Sequence, residues 1–146
     1  MRLFAAAGLA LLLTFSSGWG TDLEKACEQA KKEHKLVILK FSGSDWCVPC
    51  IRMQKEIFDN DAFKSFADSS LILVNADFPR LKKNQLSKDQ QKQNEKLADK
   101  YNKEGNFPLT LLMNHKGEVL KSWEGYSTMT AEQFISQVKP FLNAGN

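Results

Sequence analysis

Two cysteines three positions apart, Cys47 and Cys50, are the side chains of this sequence best suited to chemistry. They lie in Phe41-Ser42-Gly43-Ser44-Asp45-Trp46-Cys47-Val48-Pro49-Cys50-Ile51-Arg52-Met53. An apolar, strand-like stretch at 36–41 runs into a Ser/Gly turn, and a helical pattern follows the cysteines. That order sets Cys47 at a helix N-terminus, where unpaired backbone N–H groups and the macrodipole favour negative charge. A thiol so placed ionises more readily and becomes a nucleophile near neutral pH. Cys50 follows one turn later, within reach of a disulfide, so the chemistry indicated is thiol–disulfide exchange. A Cys-x-x-Cys also occurs in metal knuckles, but zinc takes four ligands. Here they would have to come from Cys27, His34 or His115, and no second Cys-x-x-Cys or His-x-x-x-His is present. Neither a metal nor another cofactor is expected.

The 146 residues suit one domain with little room for a second. Arg2 gives a short positive start and 3–15 is almost wholly apolar, too short for the ~20 residues that span a bilayer. Ser16, Ser17, Gly18 and Gly20 are small residues of the kind a signal peptidase accepts. The expectation is a signal peptide at 1–20, cleaved after Gly20 or after Gly18, and a periplasmic or secreted domain at 21–146. Stable disulfides form in such compartments. Three cysteines are too few for a stapled scaffold, and one pair plus an odd cysteine suits an active site better. The net charge of +3 is mild. The lysine-rich stretch 80–104 interleaves Asp89, Glu95, Asp99 and Glu104 and has no aromatic platform, so no nucleic-acid partner is expected.

The elements follow from periodicity. Leu23, Ala26, Cys27 and Ala30 recur at helical spacing in 22–34, placing Cys27 on the buried face as a small core residue or a third redox group. A strand at 36–41 precedes a helix at 47–58 with Pro49 in its first turn, where a missing N–H costs little. Asn60 or Asp61 caps a short helix carrying Phe63 and Phe66, and 71–76 reads as a buried parallel strand. Segment 80–104 is expected to be a solvated insertion, with a helix at 88–103 burying a thin stripe of Leu97 and Tyr101. Strands at 109–113 and 118–123 flank a turn at 114–117. Thr130 and Gln133 form a capping box for a last helix burying Phe134, Ile135, Val138 and Phe141 or Leu142. The sum is an α/β fold, a central mixed sheet of about four strands with helices on both faces.

With this order, the chain resembles the thioredoxin superfamily, specifically its secreted bacterial members. Trp46-Cys47-Val48-Pro49-Cys50 at a strand-to-helix junction matches the family's Trp-Cys-x-x-Cys. Asn106-Phe107-Pro108-Leu109 matches its cis-proline segment, and Gly125 its glycine near the active site. The resemblance implies the thioredoxin fold with a helical insertion at about 80–104 before the cis-proline. It also implies that Cys47 attacks and that Cys50 resolves the mixed disulfide, the two forming the redox-active disulfide. Trp46, Phe107, Pro108 and Gly125 would bind substrate, with Phe107 offering its backbone to an extended chain. Val48 and Pro49 would tune the couple.

Some residues depart from the family. Its buried acid behind the resolving cysteine is replaced by Lys40 or Phe41, depending on the length of the 42–45 turn, and neither accepts a proton as a carboxylate would. Glu56 or water is left as a substitute. Asp45, beside Trp46, could raise the pKa of Cys47 slightly. The first strand is absent or very short. Pro49 stands where strong oxidants and isomerases of the superfamily carry histidine, so a reducing couple acting on protein disulfides is expected. Such a reductase outside the cytoplasm requires electrons, and a membrane thiol-transfer protein is the expected donor. A monomer is expected. The alternatives are a disulfide isomerase and a non-catalytic binding or chaperone protein on the same scaffold.

Overall fold

The computed structural model describes residues 18–126 and 128–143. Four strands form one sheet in the order β2-β1-β3-β4: β1 Leu36–Ser42, β2 Leu71–Asp77, β3 Leu109–Met113 and β4 Val119–Glu124. β1 and β2 run parallel, while β1–β3 and β3–β4 are antiparallel. All seven residues of β1 are buried, so both of its faces are covered. Strand alternation then splits the core in two. Leu36 and Ile38 join one cluster with Phe58, Phe63, Phe134 and Trp123. Val37, Leu39 and Phe41 join the other, with Ala26, Ala30, Leu97 and Tyr101.

The helices sort accordingly. α1 (Leu23–Glu33) and α4 (Lys88–Tyr101) cover the second face. The first is covered by α3 (Asp61–Ser70), α5 (Ala131–Val138) and α2 (Val48–Met53), which continues through Gln54–Phe58 as a π-helical turn. Side-chain oxygens cap the starts of four of them. Asp22 accepts from the Lys25 amide, Asn60 from Ala62, Ser87 from Gln90, and Thr130 forms the expected box with Gln133. Each such cap is worth ~1 kcal/mol. Phe58, Phe63 and Phe134 meet edge to face at 5.1–5.8 Å, which welds α2, α3 and α5 into one layer.

Several expectations change in detail. The segment at 80–104 packs the expected stripe of Leu97 and Tyr101 on the sheet, with Ala98, and adds polar ties that were not expected: buried Asn94 donates to the Asp77 carbonyl at 2.9 Å, and the Tyr101 hydroxyl reaches the Gly117 carbonyl at 3.0 Å. Cys27 is half-buried rather than buried, because it stands at the flank of the α1 stripe. The missing first strand survives as one parallel bridge: Gly20 donates to the Leu73 carbonyl and accepts from the Asn75 amide. Trp19 packs edge to face on Phe58 at 5.1 Å. The fold therefore takes in two residues ahead of the boundary expected at 21. Residues 1–17 of the expected signal peptide lie outside the described residues.

Candidate active site

The loop 43–47 leaves the end of β1 and delivers its cysteines to the first turn of α2. Cys47 is the N-cap, in extended conformation, and its sulfur accepts the Cys50 amide at 3.3 Å. A sulfur in that seat takes up one of the orphan N–H groups of the helix start. Pro49, within the same turn, has no N–H to leave unpaired. Cys47 and Cys50 are joined in a disulfide, their Cα atoms 5.2 Å apart. Both are nearly buried, while Val48 is 66% and Ile51 47% exposed, forming an apolar rim.

Three other expected residues gather at the same end of the sheet. The Phe107–Pro108 peptide is cis. Leu109 pairs with Phe41, which brings this segment beside the loop that leads to Cys47. The rings of Phe107 and Trp46 meet at 5.5 Å, and Phe107 touches Phe78 at the same separation. Gly125, at φ 69°, donates its N–H to the Pro108 carbonyl at 2.8 Å, locking the end of β4 to the proline. A side chain there would be strained in the left-handed region.

Trp46 is fixed by contacts that the sequence did not reveal. Its indole N–H donates to the Phe78 carbonyl at 2.7 Å, and the Arg80 guanidinium lies 3.7 Å from its ring centroid. It folds back over Gly43 so closely that a Cβ on that residue would stand 2.2 Å from the indole. Glycine is required by the approach. The Asp45 carboxylate, beside Trp46, accepts the Arg80 and Leu81 amides and the Asn84 side chain at 2.9–3.0 Å. These hydrogen bonds, the Arg80 amide first, hold the Asp45 carboxyl below its ordinary pKa. Asp45 thus ties the active-site loop to the start of the 80–104 segment.

Behind Cys50 lies a cleft of about 490 Å³, lined among others by Trp19, Lys40, Ser42, Cys50, Ile51 and Gln54. Strand phase settles which residue replaces the expected acid: Phe41 points to the opposite core, and Lys40 lines the cleft. Lys40 is 8% exposed and donates to Gln54 Oε1. Its ammonium also sits 4.1 Å from the Trp19 ring centroid and 5.2 Å from that of Phe58. Burial pulls its pKa down to about 8, against the opposing charges of Asp59 and Asp77. Glu56 is no substitute. It is exposed, bonded to the Tyr126 hydroxyl and paired with Arg52. The Tyr126 bond lowers its pKa.

Cys27 packs on the other face of the sheet, and burial pushes its thiol pKa up. Among the described residues, no three His, Cys, Asp or Glu side chains converge in a way that could hold a metal ion.

Fold and site together define a thioredoxin-like protein, and the chain belongs to that family: the model of the thioredoxin-like domain matches residues 23–141. Its relatives narrow the class. The chain is 36% identical over 118 residues to the disulfide bond reductase DsbH of Chlamydia pneumoniae, covering 81% of this chain and 69% of that one. It is 26% identical over 98 residues to the thioredoxin-related protein DsbJ of the same organism, covering 67% of this chain but only 27% of DsbJ. A solved structure described as DsbH oxidoreductase superposes with a TM-score of 0.77 at 31% identity, covering 98% of this chain and 94% of that one. The thioredoxin-like domain thus contains a disulfide-forming Cys-x-x-Cys at Cys47 and Cys50, in keeping with thiol–disulfide oxidoreductase relatives.

Proposed function

We propose that this protein is an extracytoplasmic thiol–disulfide oxidoreductase that reduces protein disulfides. The observation that carries the reading is the Cys47–Cys50 disulfide at the first turn of α2, at the same end of the sheet as the cis Phe107–Pro108 segment, whose Phe107 ring meets that of Trp46. In the reduced protein the Cys47 thiolate attacks a substrate disulfide, releasing one substrate thiol and forming a mixed disulfide. Cys50 then attacks the Cys47 sulfur and frees the second substrate thiol. The substrate gains two electrons and the Cys47/Cys50 pair loses them. An extended substrate strand docks along the backbone of Phe107 and Pro108, with Trp46 and Gly125 bounding the groove. Val48 and Ile51 supply an apolar rim that suits protein clients.

Two features support the direction. Pro49 occupies the place where a histidine would stabilise the reduced thiolate, and the 36%-identical DsbH is named as a reductase. The apolar run at 3–15 after Arg2 supports export. Of the two cleavage positions, the one after Gly18 retains Trp19 and the Gly20 bridge to β2. A reductase outside the cytoplasm needs a steady donor, and a membrane thiol-transfer protein fits that need.

Insulin reduction with a chemical thiol donor tests the reading. Wild-type protein is expected to accelerate precipitation of the insulin B chain, and Cys47→Ser to run no faster than the donor alone. Wild-type protein as inert as that variant would favour a binding or chaperone role instead.

A further inference from the structure

Lys40 presents a physical anomaly. A buried ammonium normally has a counter-ion, since an uncompensated charge inside a protein costs several kcal/mol. None of the ion pairs among the described residues includes Lys40. It is held by a neutral amide, Gln54, and by the faces of Trp19 and Phe58. Two carboxylates favour its charge without forming an ion pair with it, and their hydrogen bonds go elsewhere. Asp59, at the end of the π-helical turn, accepts from Gln54 Nε2 at 2.8 Å. Asp77, at the end of β2, accepts the Ser44 and Phe78 amides at 2.9 Å. Lys55 also lines the cleft and adds like charge. The remaining ionisable group on that cleft is Cys50, which carries no charge while bonded to Cys47.

We propose that the counter-ion of Lys40 is the Cys50 thiolate, so that Lys40 is a positioning residue that charges the resolving sulfur for attack. The inference rests on the oxidoreductase reading above and deepens it. In the mixed disulfide, Cys50–SH loses its proton to solvent and its thiolate is stabilised by the ammonium across the cleft. That thiolate attacks Cys47 Sγ, the Cys47–substrate S–S bond breaks, and the departing substrate sulfur keeps the electron pair and takes a proton from solvent. Oxidation removes the anion from Cys50 and leaves Lys40 without an ion-pair partner, only the field of Asp59 and Asp77 opposing its desolvation, as this structure displays it. A carboxylate at the same position would oppose the Cys50 thiolate; an ammonium favours it. The substitution of a base for an acid therefore reverses the electrostatics at the resolving sulfur.

The test isolates one sulfur. In a Cys27→Ala, Cys47→Ser background, Cys50 is the sole thiol, and its ultraviolet thiolate absorbance is followed against pH. Adding Lys40→Met, or Lys40→Gln, which keeps a donor for Gln54, is expected to raise the Cys50 pKa by at least ~1 unit, a tenfold loss of thiolate. Lys40→Arg should restore most of it. With both cysteines present, Lys40→Met should shift the glutathione equilibrium towards the disulfide. An unchanged Cys50 pKa in a folded Lys40→Met or Lys40→Gln chain overturns the proposal, leaving Lys40 a packing residue. Should neither neutral variant fold, the parent background decides: Cys50 titrating above the ordinary ~8.5, as a buried thiol without a cation would, contradicts it. Insulin reduction by the unaltered protein is read separately, so failure here leaves the oxidoreductase reading standing.

Discussion

A lysine ammonium drawn out of water within a central strand has a thermodynamic signature whatever its catalytic role. In the oxidised protein burial pulls the Lys40 pKa down to about 8, below the ordinary lysine value of 10.5. Between those values the unfolded chain binds the proton more readily, so this group adds stability as pH rises through that window. Below it the full penalty, about 3 kcal/mol, is present. Lys40→Met should therefore make the oxidised protein more stable near neutral pH. The expected gain is ~1–3 kcal/mol once loss of the Gln54 hydrogen bond is deducted. The gap should close as pH approaches 10. Urea midpoints of both proteins at the two pH values check this; a gap that ignores pH would show that Lys40 is not a buried cation. At this scale Cys47, Cys50, Trp46 and Pro108 could be read from local motifs. Lys40 could not be told from Phe41, because the choice depends on strand phase and on how many residues the 42–45 turn consumes. The need for Gly43 appears only once Trp46 is seen folded over it.

Among the elements, the segment at 80–104 differs most from its reading as a solvated insertion. Its helix was visible in the sequence through Leu97 and Tyr101. Its docking was not, since buried Asn94 on α4 meets the Asp77 carbonyl and no apolar periodicity marks such a residue. The tie from Asp45 to Arg80, Leu81 and Asn84 spans 35 to 39 positions and has no local signature either. Each of those hydrogen bonds has a charged acceptor. Asp45→Ala should speed hydrogen exchange at the Arg80 and Leu81 amides by roughly 10-fold or more, with the β1 and β2 amides unaffected. It should also loosen Arg80 from the Trp46 ring. Unchanged exchange at 80 and 81 would mean that the segment is held by α4 alone. The capped helices α3 and α5 were easier to read, because Asn60 and Thr130 announce their own starts.

On the scale of the whole molecule, the order β2-β1-β3-β4 buries β1 on both faces and sends one end of the sheet to the site. Order and handedness of this kind follow from β-α-β crossovers feeding a hairpin, and the sequence displayed both. The junction with residues 1–20 was less legible, because Trp19 and Gly20 read as signal-peptide flank and yet pack against Phe58 and β2. What the molecule does depends on the level at which its couple holds electrons. Pro49 favours a low potential, and Lys40, by stabilising a thiolate of the reduced form, raises it only in part. Equilibrating the purified protein with glutathione buffers and counting free Cys47 and Cys50 gives that level directly. The account predicts a potential nearer the ~−270 mV of thioredoxin than the ~−120 mV of a strong oxidant. A value above about −180 mV, in the range of isomerases and oxidants, would contradict it.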